Sequence, residues 1–211
     1  MVSIPTSEQC LALMDEYKVM DHVRQHCRKV AEVAIFIANK LIAAGIKLNI
    51  PLIEAAALLH DITKIEALEQ GGNHAETGAN LLEKLGFLTV AHIVRQHVHL
   101  SGPIIGTPIN ESEVVNYADK RVLHTTVVSL RDRFDYIREK YGHGDPVRIT
   151  RINRIEEETR ELEKKLFAQL PIKPEKMPIA LLPPPTQATT MSGSLPNLSR
   201  HCCLASLPMQ L

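Results

Sequence analysis

The chain has 211 residues, with 24 basic and 24 acidic side chains and therefore a formal net charge of zero. This length suits one domain, and the charge balance gives no overall basic field of the kind that attracts nucleic acid. The first residues lack the pattern of a leader segment, no apolar run approaches a membrane span, and the four cysteines follow neither a disulfide nor a zinc-finger spacing. We therefore expect a cytoplasmic protein without a membrane partner, and we do not expect nucleic acid as a partner.

The first two predicted helices introduce the first candidate side chain. Helical periodicity runs through most of the chain and alternating strand patterns are missing, so the sequence predicts an all-α fold. Thr6 and Gln9 predict a capped first helix that runs to about Tyr17. Asp21 is predicted as the N-cap of a longer helix ending near residue 45, with His26 at the edge of its apolar stripe.

The third predicted helix is the most apolar stretch of the chain. It opens at Asn49 and Pro51 and carries almost no polar side chain before it reaches His60 and Asp61. A helix that is apolar on all sides is normally central to its domain. A carboxylate removed from water must be hydrogen-bonded, paired with a cation or bound to a metal. His60 and Asp61 therefore need partners from other segments.

Further helices are predicted to carry such partners. After a glycine pair at 71–72, a helix is predicted from about His74 to residue 85, and a short helix starting near residue 89 carries His97. Residues 101–110 are predicted to form a loop that is long enough to be a rim or lid over a pocket. A helix from about residue 110 is predicted to include Val122 and Leu123 on its apolar face, and Asp119 lies within that face.

The C-terminal part separates into a helical and a proline-rich portion. One helix is predicted to end near Tyr141, and a last amphipathic helix runs from Pro146 to about Leu170. Beyond it, prolines cluster, Ser and Thr are frequent and aromatic residues are absent. Such a segment cannot bury enough surface to offset its ordering entropy. We predict a domain over 1–170 and a mostly disordered tail over 171–211.

Six inward-facing histidines and acids come from five of the predicted helices: His26, His60, Asp61, His74, His97 and Asp119. Imidazole and carboxylate ligands without thiolate favour a metal site that leaves positions open for water and substrate. A carboxylate next to a histidine ligand can also bridge two ions through its two oxygens, which makes Asp61 the natural bridge. The pattern indicates one or two divalent ions, and Mn, Fe, Co, Ni, Zn and Mg all remain open.

An ordered set of motifs spans about residues 20 to 140: His26 with Val30-Ala31, Leu59-His60-Asp61, His74-Ala-Glu-Thr-Gly78, Arg95-Gln96-His97 and Ala118-Asp119-Lys120. This set resembles the HD-domain metal-dependent phosphohydrolase superfamily, and within that superfamily it resembles an HDIG-like bacterial member. The resemblance implies an all-α HD-domain helical bundle. It also implies a first metal held by His26, His60, Asp61 and Asp119, and a second held by His74, His97 and the shared Asp61.

The same resemblance implies a hydrolase that uses metal-activated water to cleave a phosphoester or phosphoanhydride of a nucleotide or small phosphorylated metabolite. Asp61 and Lys64 are the expected catalytic residues, because Lys64 completes a His-Asp-x-x-Lys pattern and is expected to point at substrate phosphate. Cations that neighbour the ligands in sequence are expected to neutralise phosphate oxygens. The expected substrate-binding residues are Lys64, Arg95, Lys120 and Arg121.

Two alternatives keep the same fold. Relatives with the same six ligands include di-iron oxygenases, which the ligand set does not separate from hydrolases. A nucleotide-sensing binding module is the other alternative. The segment His97-Val98-His99 lacks the paired histidines and the Gly-Tyr-Pro signature of the cyclic-di-GMP hydrolases, which argues against that substrate. A homodimer remains open.

Overall fold

Helices make up most of residues 3–177, which are the residues that the computed structural model describes. In chain order, the elements are α1 (Ser7–Glu16), α2 (Asp21–Ala43), α3 (Ile50–Leu59), α4 (Lys64–Gln70), α5 (His74–Lys84), α6 (Leu88–Arg95), α7 (Glu111–Lys120), β1 (Val122–Leu123), β2 (Thr126–Val127), α8 (Leu130–Tyr141), α9 (Pro146–Phe167) and a 3-10 turn (Pro174–Lys176). The predicted all-α class is confirmed. Within the described range, no helix combines the length and the apolar character needed to cross a membrane.

Helix α3 is the centre of the bundle, as its apolar sequence predicts. It packs against α1, α2, α6 and α7, and its residues from Ala55 to Leu59 are all buried. The Asn49 side chain caps it by accepting a hydrogen bond from the Leu52 N–H at 3.1 Å. The helix ends at Leu59, and turns over residues 60–63 separate it from α4. These turns place His60 and Asp61 at the C-terminal end of α3, inside the core.

Two element boundaries differ from the sequence predictions. Asp21 is the first residue of α2 and not its N-cap; Met20 takes the N-cap position, with no side-chain capping bond. A carboxylate in the first helical turn still interacts favourably with the helix dipole. Helix α7 ends at Lys120, and Val122 and Leu123 form β1, which pairs antiparallel with β2. The β-branched residues at 122, 126 and 127 suit this short ladder.

The packed part of the chain extends past the predicted domain boundary at residue 170. The turn Pro174–Lys176 lies against the bundle, the carbonyl of Pro174 accepts a hydrogen bond from the Arg121 guanidinium at 3.2 Å, and Met177 is fully buried. Residues 171–177 therefore belong to the domain. The predicted disorder of the remaining tail concerns residues 178–211, which lie outside the described residues.

Candidate metal centre

The six predicted ligand side chains meet at one buried place in the bundle. His26 lies in α2, His60 caps the C-terminus of α3 and Asp61 follows it, while His74 is the first residue of α5. His97 comes just after α6, and Asp119 lies in the last turn of α7. None of the six residues is more than 9% exposed. So much imidazole and carboxylate in a protein interior requires a common partner.

The six side chains divide into two groups of three. One group contains His26, His60 and Asp119, and the other contains Asp61, His74 and His97; in each, one donor atom per residue lies within 4.8 Å of the others. In the first group, Asp119 Oδ1 is 3.2 Å from His26 Nε2 and 3.8 Å from His60 Nε2. Two donors bound to one ion at about 2.1 Å lie about 3 to 4 Å apart, depending on the angle between them. The spacing therefore fits a shared divalent cation.

Asp61 lies between the two groups and turns one oxygen to each. Its Oδ2 is 3.4 Å from His60 Nε2 in the first group. Its Oδ1 is 3.4 Å from His74 Nε2 and 3.6 Å from His97 Nε2 in the second. A carboxylate in this position can ligate one ion through each oxygen.

Three of the four histidines are oriented by backbone carbonyls. The Nδ1 of His26 lies 3.0 Å from the His124 carbonyl, that of His60 lies 2.8 Å from the Ala57 carbonyl, and that of His97 lies 2.7 Å from the Val94 carbonyl. A carbonyl only accepts, so each Nδ1 carries a proton, and each Nε2 faces the centre, where it can bind a metal ion in the neutral form of the ring. Such outer hydrogen bonds fix the tautomer and ring orientation of metal-binding histidines.

Two donor atoms at the centre lack a partner among the described residues. His60 Nε2 and Asp61 Oδ1 are buried and make no hydrogen bond there. His74 Nε2 and His97 Nε2 lie 3.0 Å apart, where they share one proton without a metal ion or can bind one ion together. An unsatisfied buried polar atom costs about 1–3 kcal/mol. A divalent cation is the partner that satisfies all these atoms, so the donor set fits a metal.

The pKa values of the two acids favour the ionised form that metal binding requires. Burial acts to raise the pKa of Asp61, but the charges of Lys64 and His60 hold it well below its ordinary value. Burial acts in the same way on Asp119, where the hydrogen bond from His26 and the charge of Lys120 hold the pKa well below the ordinary range. Both carboxylates are therefore charged at neutral pH.

The histidines of the second group are neutral at neutral pH. Burial lowers the pKa of His74 to about 4. Burial, together with the neighbouring His74 and His60, lowers the pKa of His97 well below its ordinary value. His60 differs, because the neighbouring Cys27 and Asp61 outweigh the opposing effect of burial and raise its pKa well above the ordinary value. A bound cation would displace that proton.

Two of the predicted cationic residues line the pocket next to the centre. Lys64 Nζ is 2.6 Å from Asp61 Oδ2, and Lys120 Nζ is 3.5 Å from Asp119 Oδ2. Lys120 Nζ also donates to the carbonyls of His97 and Val98. Each lysine thus neutralises a candidate ligand, and Lys120 in addition holds the segment that carries His97.

The structure does not bring Arg95 or Arg121 into the pocket, which corrects their predicted role in substrate binding. Arg95 binds Glu83 at 2.8 Å and Glu76 at 3.1 Å on the outer surface of α5 and α6. Arg121 is buried on the other side of α7, where it pairs with Glu163 of α9 and donates to the Tyr117 hydroxyl. Both guanidinium groups are committed to contacts that stabilise helix packing.

The pocket is closed by α8 and α9, and not by the loop over 101–110 as expected. Its volume is about 50 Å³, and residues 100–105 of the loop instead border a separate groove against α9. From α8 and α9, the pocket is lined by Arg133, Phe134, Ile137, Ile152 and Ile155.

Three features of the centre were missed from the sequence. Arg133 lines the pocket, and the backbone of His124 orients His26 from a turn where His124 has a φ of 56°. Cys27 Sγ forms a third compact group with His60 and Asp61. Cys27 directly follows His26 in the sequence, which is the one signal that could have identified it.

Two comparisons with known proteins gave a match. The family model described as HD domain matches residues 23–137. A tRNA (cytidine(56)-2'-O)-methyltransferase of Thermoplasma volcanium is 38% identical over 96 residues, which are 45% of this chain and 26% of that protein. The matched stretch thus spans about a quarter of the length of this curated relative. No solved structure gave a significant match.

Proposed function

The chain belongs to the HD domain family, whose match covers more than half of it, and on that premise we propose that it is a metal-dependent phosphohydrolase. It cleaves a phosphoester or phosphoanhydride bond in a nucleotide or small phosphorylated metabolite. Divalent ions at such a centre lower the pKa of a water ligand and stabilise charge on the phosphoryl oxygens. The ligands in this proposal are His26, His60, Asp61 and Asp119 for a first ion, and His74, His97 and the shared Asp61 for a second.

The observation that carries the proposal is the position of Asp61. Its Oδ2 faces His60 and its Oδ1 faces His74 and His97, at 3.4 to 3.6 Å. Paired ions about 3.5 to 4 Å apart are typical of phosphoryl-transfer enzymes, where they bind both the attacking and the leaving oxygen. A bridging carboxylate is the side chain that holds two ions at that separation.

The charge balance of the pocket favours an anionic substrate. Three cations line it, namely Lys64, Lys120 and Arg133, against the two carboxylates of Asp61 and Asp119. The pocket is therefore positive before any metal is bound, and each divalent ion adds two further charges. A phosphoryl group, with several negatively charged oxygens, is the substrate group that balances this charge.

The size of the pocket favours a terminal phosphoryl group over an internal diester. A cavity needs about 10–15 Å³ to hold one water molecule, so a volume of about 50 Å³ has room for a small tetrahedral anion. The group attached to the phosphorus then lies outside the pocket mouth. An internal phosphodiester carries two such groups, both of which have to be accommodated at that mouth.

The experiment is a hydrolysis assay with metal-loaded protein on a panel of substrates, which follows inorganic phosphate, 4-nitrophenolate and nucleotide products so that every bond type is detected. The panel contains 4-nitrophenyl phosphate, nucleoside mono- and triphosphates, a dinucleoside polyphosphate and, as the diester, bis(4-nitrophenyl) phosphate. We expect the best terminal phosphate to be hydrolysed at least about tenfold more efficiently than the diester. A difference of about 1.4 kcal/mol between the binding free energies of the two substrates corresponds to this ratio. Chelator-treated protein is the control.

Protein that holds its metal and yet hydrolyses no member of the panel would contradict the proposal. Turnover under strict anaerobiosis would exclude the di-iron oxygenase alternative. A 5'-phosphorylated oligoribonucleotide belongs in the panel as well, because the name of the relative from Thermoplasma volcanium refers to tRNA. Release of phosphate from that oligonucleotide alone would assign the activity to RNA ends instead of small metabolites.

A further inference from the structure

The three cations that line the pocket differ in how many partners they already have. Lys64 Nζ is bound to Asp61 Oδ2 at 2.6 Å. Lys120 Nζ donates to two backbone carbonyls after α6 and lies 3.5 Å from Asp119. The charge of each lysine is thus already paired with a carboxylate of the metal centre, although Lys64 keeps further N–H donors for a substrate oxygen. The third cation differs from both, because its side-chain donors have no partner among the described residues.

The side chain of that third cation, Arg133, makes no hydrogen bond and no ion pair with any residue of the described range 3–177, and its Nε is buried. Nearby acids on the same helix are already engaged. Asp132 accepts a hydrogen bond from Ser129, and Asp135 pairs with Arg138 at 2.6 Å. A buried N–H without an acceptor is costly, and although Arg133 is half-buried and its charge acts on Asp119, no carboxylate of the described residues lies within ion-pair distance of it. An anion in the pocket supplies the missing acceptor.

The surroundings of Arg133 strengthen its interaction with an anion. Its neighbours in the pocket wall include Phe134 and Ile137 on α8 and Ile152 and Ile155 on α9, which are all buried. Hydrogen bonds to charged groups are stronger where apolar neighbours exclude water. The planar fork of a guanidinium also matches two oxygens of a phosphate at once, which an ammonium group does not.

We propose that Arg133 is the phosphate-binding residue of this pocket, and that its guanidinium holds two non-bridging oxygens of the terminal phosphoryl group. This proposal rests on the proposed function. It identifies the recognised part of the substrate as a terminal oxyanion with at least two free oxygens. Inorganic phosphate, the expected product, has the same oxygens and fits the same place.

The test measures the affinity for inorganic phosphate by titration calorimetry on the full chain, both metal-free and loaded with Mn²⁺. We expect Arg133→Met, which removes the charge but keeps most of the side-chain length, to weaken phosphate binding by about ten- to a hundredfold in both forms. Arg133→Lys is expected to fall between this variant and the wild type, because it keeps the charge without the fork. The metal content should be the same in all proteins.

Arg131→Met is the matched control, since Arg131 lies two residues earlier on the same helix, with its side chain 82% exposed. It removes the same charge and is expected to change phosphate affinity less than about twofold, because exposed charges are strongly screened. Equal losses in Arg131→Met and Arg133→Met would contradict the proposal, as would unchanged affinity in Arg133→Met. Metal-loaded wild-type protein that binds no phosphate would contradict it too.

The failure of this inference and that of the proposed function give different results. Wild-type protein that binds phosphate through Arg133 but hydrolyses nothing refutes the hydrolase and retains the anion site. Hydrolysis that Arg133→Met leaves unchanged refutes the anion site and retains the hydrolase. If Arg133→Met loses helical circular dichroism, Arg133→Lys decides instead, and a folded Arg133→Lys protein with wild-type phosphate affinity overturns the proposal.

Discussion

Asp61→Asn is expected to remove both metal ions and, with them, all detectable phosphohydrolase activity. The substitution keeps the shape of the side chain but replaces one of its two oxygens by an amide nitrogen, which cannot bind a cation. Because the two oxygens of Asp61 face different groups of donors, each group loses affinity for its ion. Replacing an outer partner of a metal ligand already costs about ten- to a hundredfold in affinity, so we expect a loss of more than about a hundredfold here.

The measurement for Asp61→Asn is the metal content by elemental analysis after dialysis, with circular dichroism to show that the helices persist. Asp135→Asn is the control, because Asp135 is an exposed acid that pairs with Arg138 away from the centre. We expect this control to keep the wild-type metal content and activity. Full metal occupancy in Asp61→Asn would show that the site has been placed wrongly.

His74→Gln is expected to remove one ion and leave the other. His74 belongs to the group with Asp61 and His97, while His26 belongs to the group with His60 and Asp119. His74→Gln and His26→Gln should therefore each retain about one ion per chain. Both should lose at least about a hundredfold in kcat/KM, since a two-metal centre requires both ions to bind the attacking and the leaving oxygen.

His22→Gln is the control for this pair of variants. His22 lies one turn before His26 on α2 and is exposed, so its loss should change neither metal content nor activity. A His74→Gln protein with the wild-type metal content would contradict the second group as a metal site. Complete loss of metal in His74→Gln would indicate one ion held by all six residues.

The fold and the six candidate ligands were predictable from the sequence because each depends on local patterns. Helix α3 is apolar on every face and its cap at Asn49 is a common one, so its position and its burial followed from neighbouring residues alone. Each candidate ligand lies on or beside the apolar side of a helix. Helices that bury those sides against one core also bring the polar side chains on them together.

The errors concern features that depend on packing. Arg121 lies two residues after Asp119. Side chains two positions apart on a helix point about 200° away from each other, so Arg121 points away from the pocket although it is close to Asp119 in the sequence. Lys64 lies three residues after Asp61, a spacing at which side chains share a face, and it does contact Asp61. Strands of two residues are too short to show a period, which is why β1 was predicted as the end of a helix.

Arg133 was missed for a related reason. It is separated from Asp119 by the β1–β2 hairpin, and no local pattern links it to the histidines. Only the packing of α8 and α9 over the centre turns this side chain into the pocket. Its lack of a partner becomes visible only when every contact around it is known.

The central claim is that Asp61 bridges two ions, and the most direct measurement is an anomalous-scattering experiment on crystals of the metal-loaded protein. The account predicts two anomalous peaks about 3.5 to 4 Å apart, one beside His26, His60 and Asp119 and the other beside His74 and His97, with Asp61 between them. A single peak, or peaks away from Asp61, would contradict it.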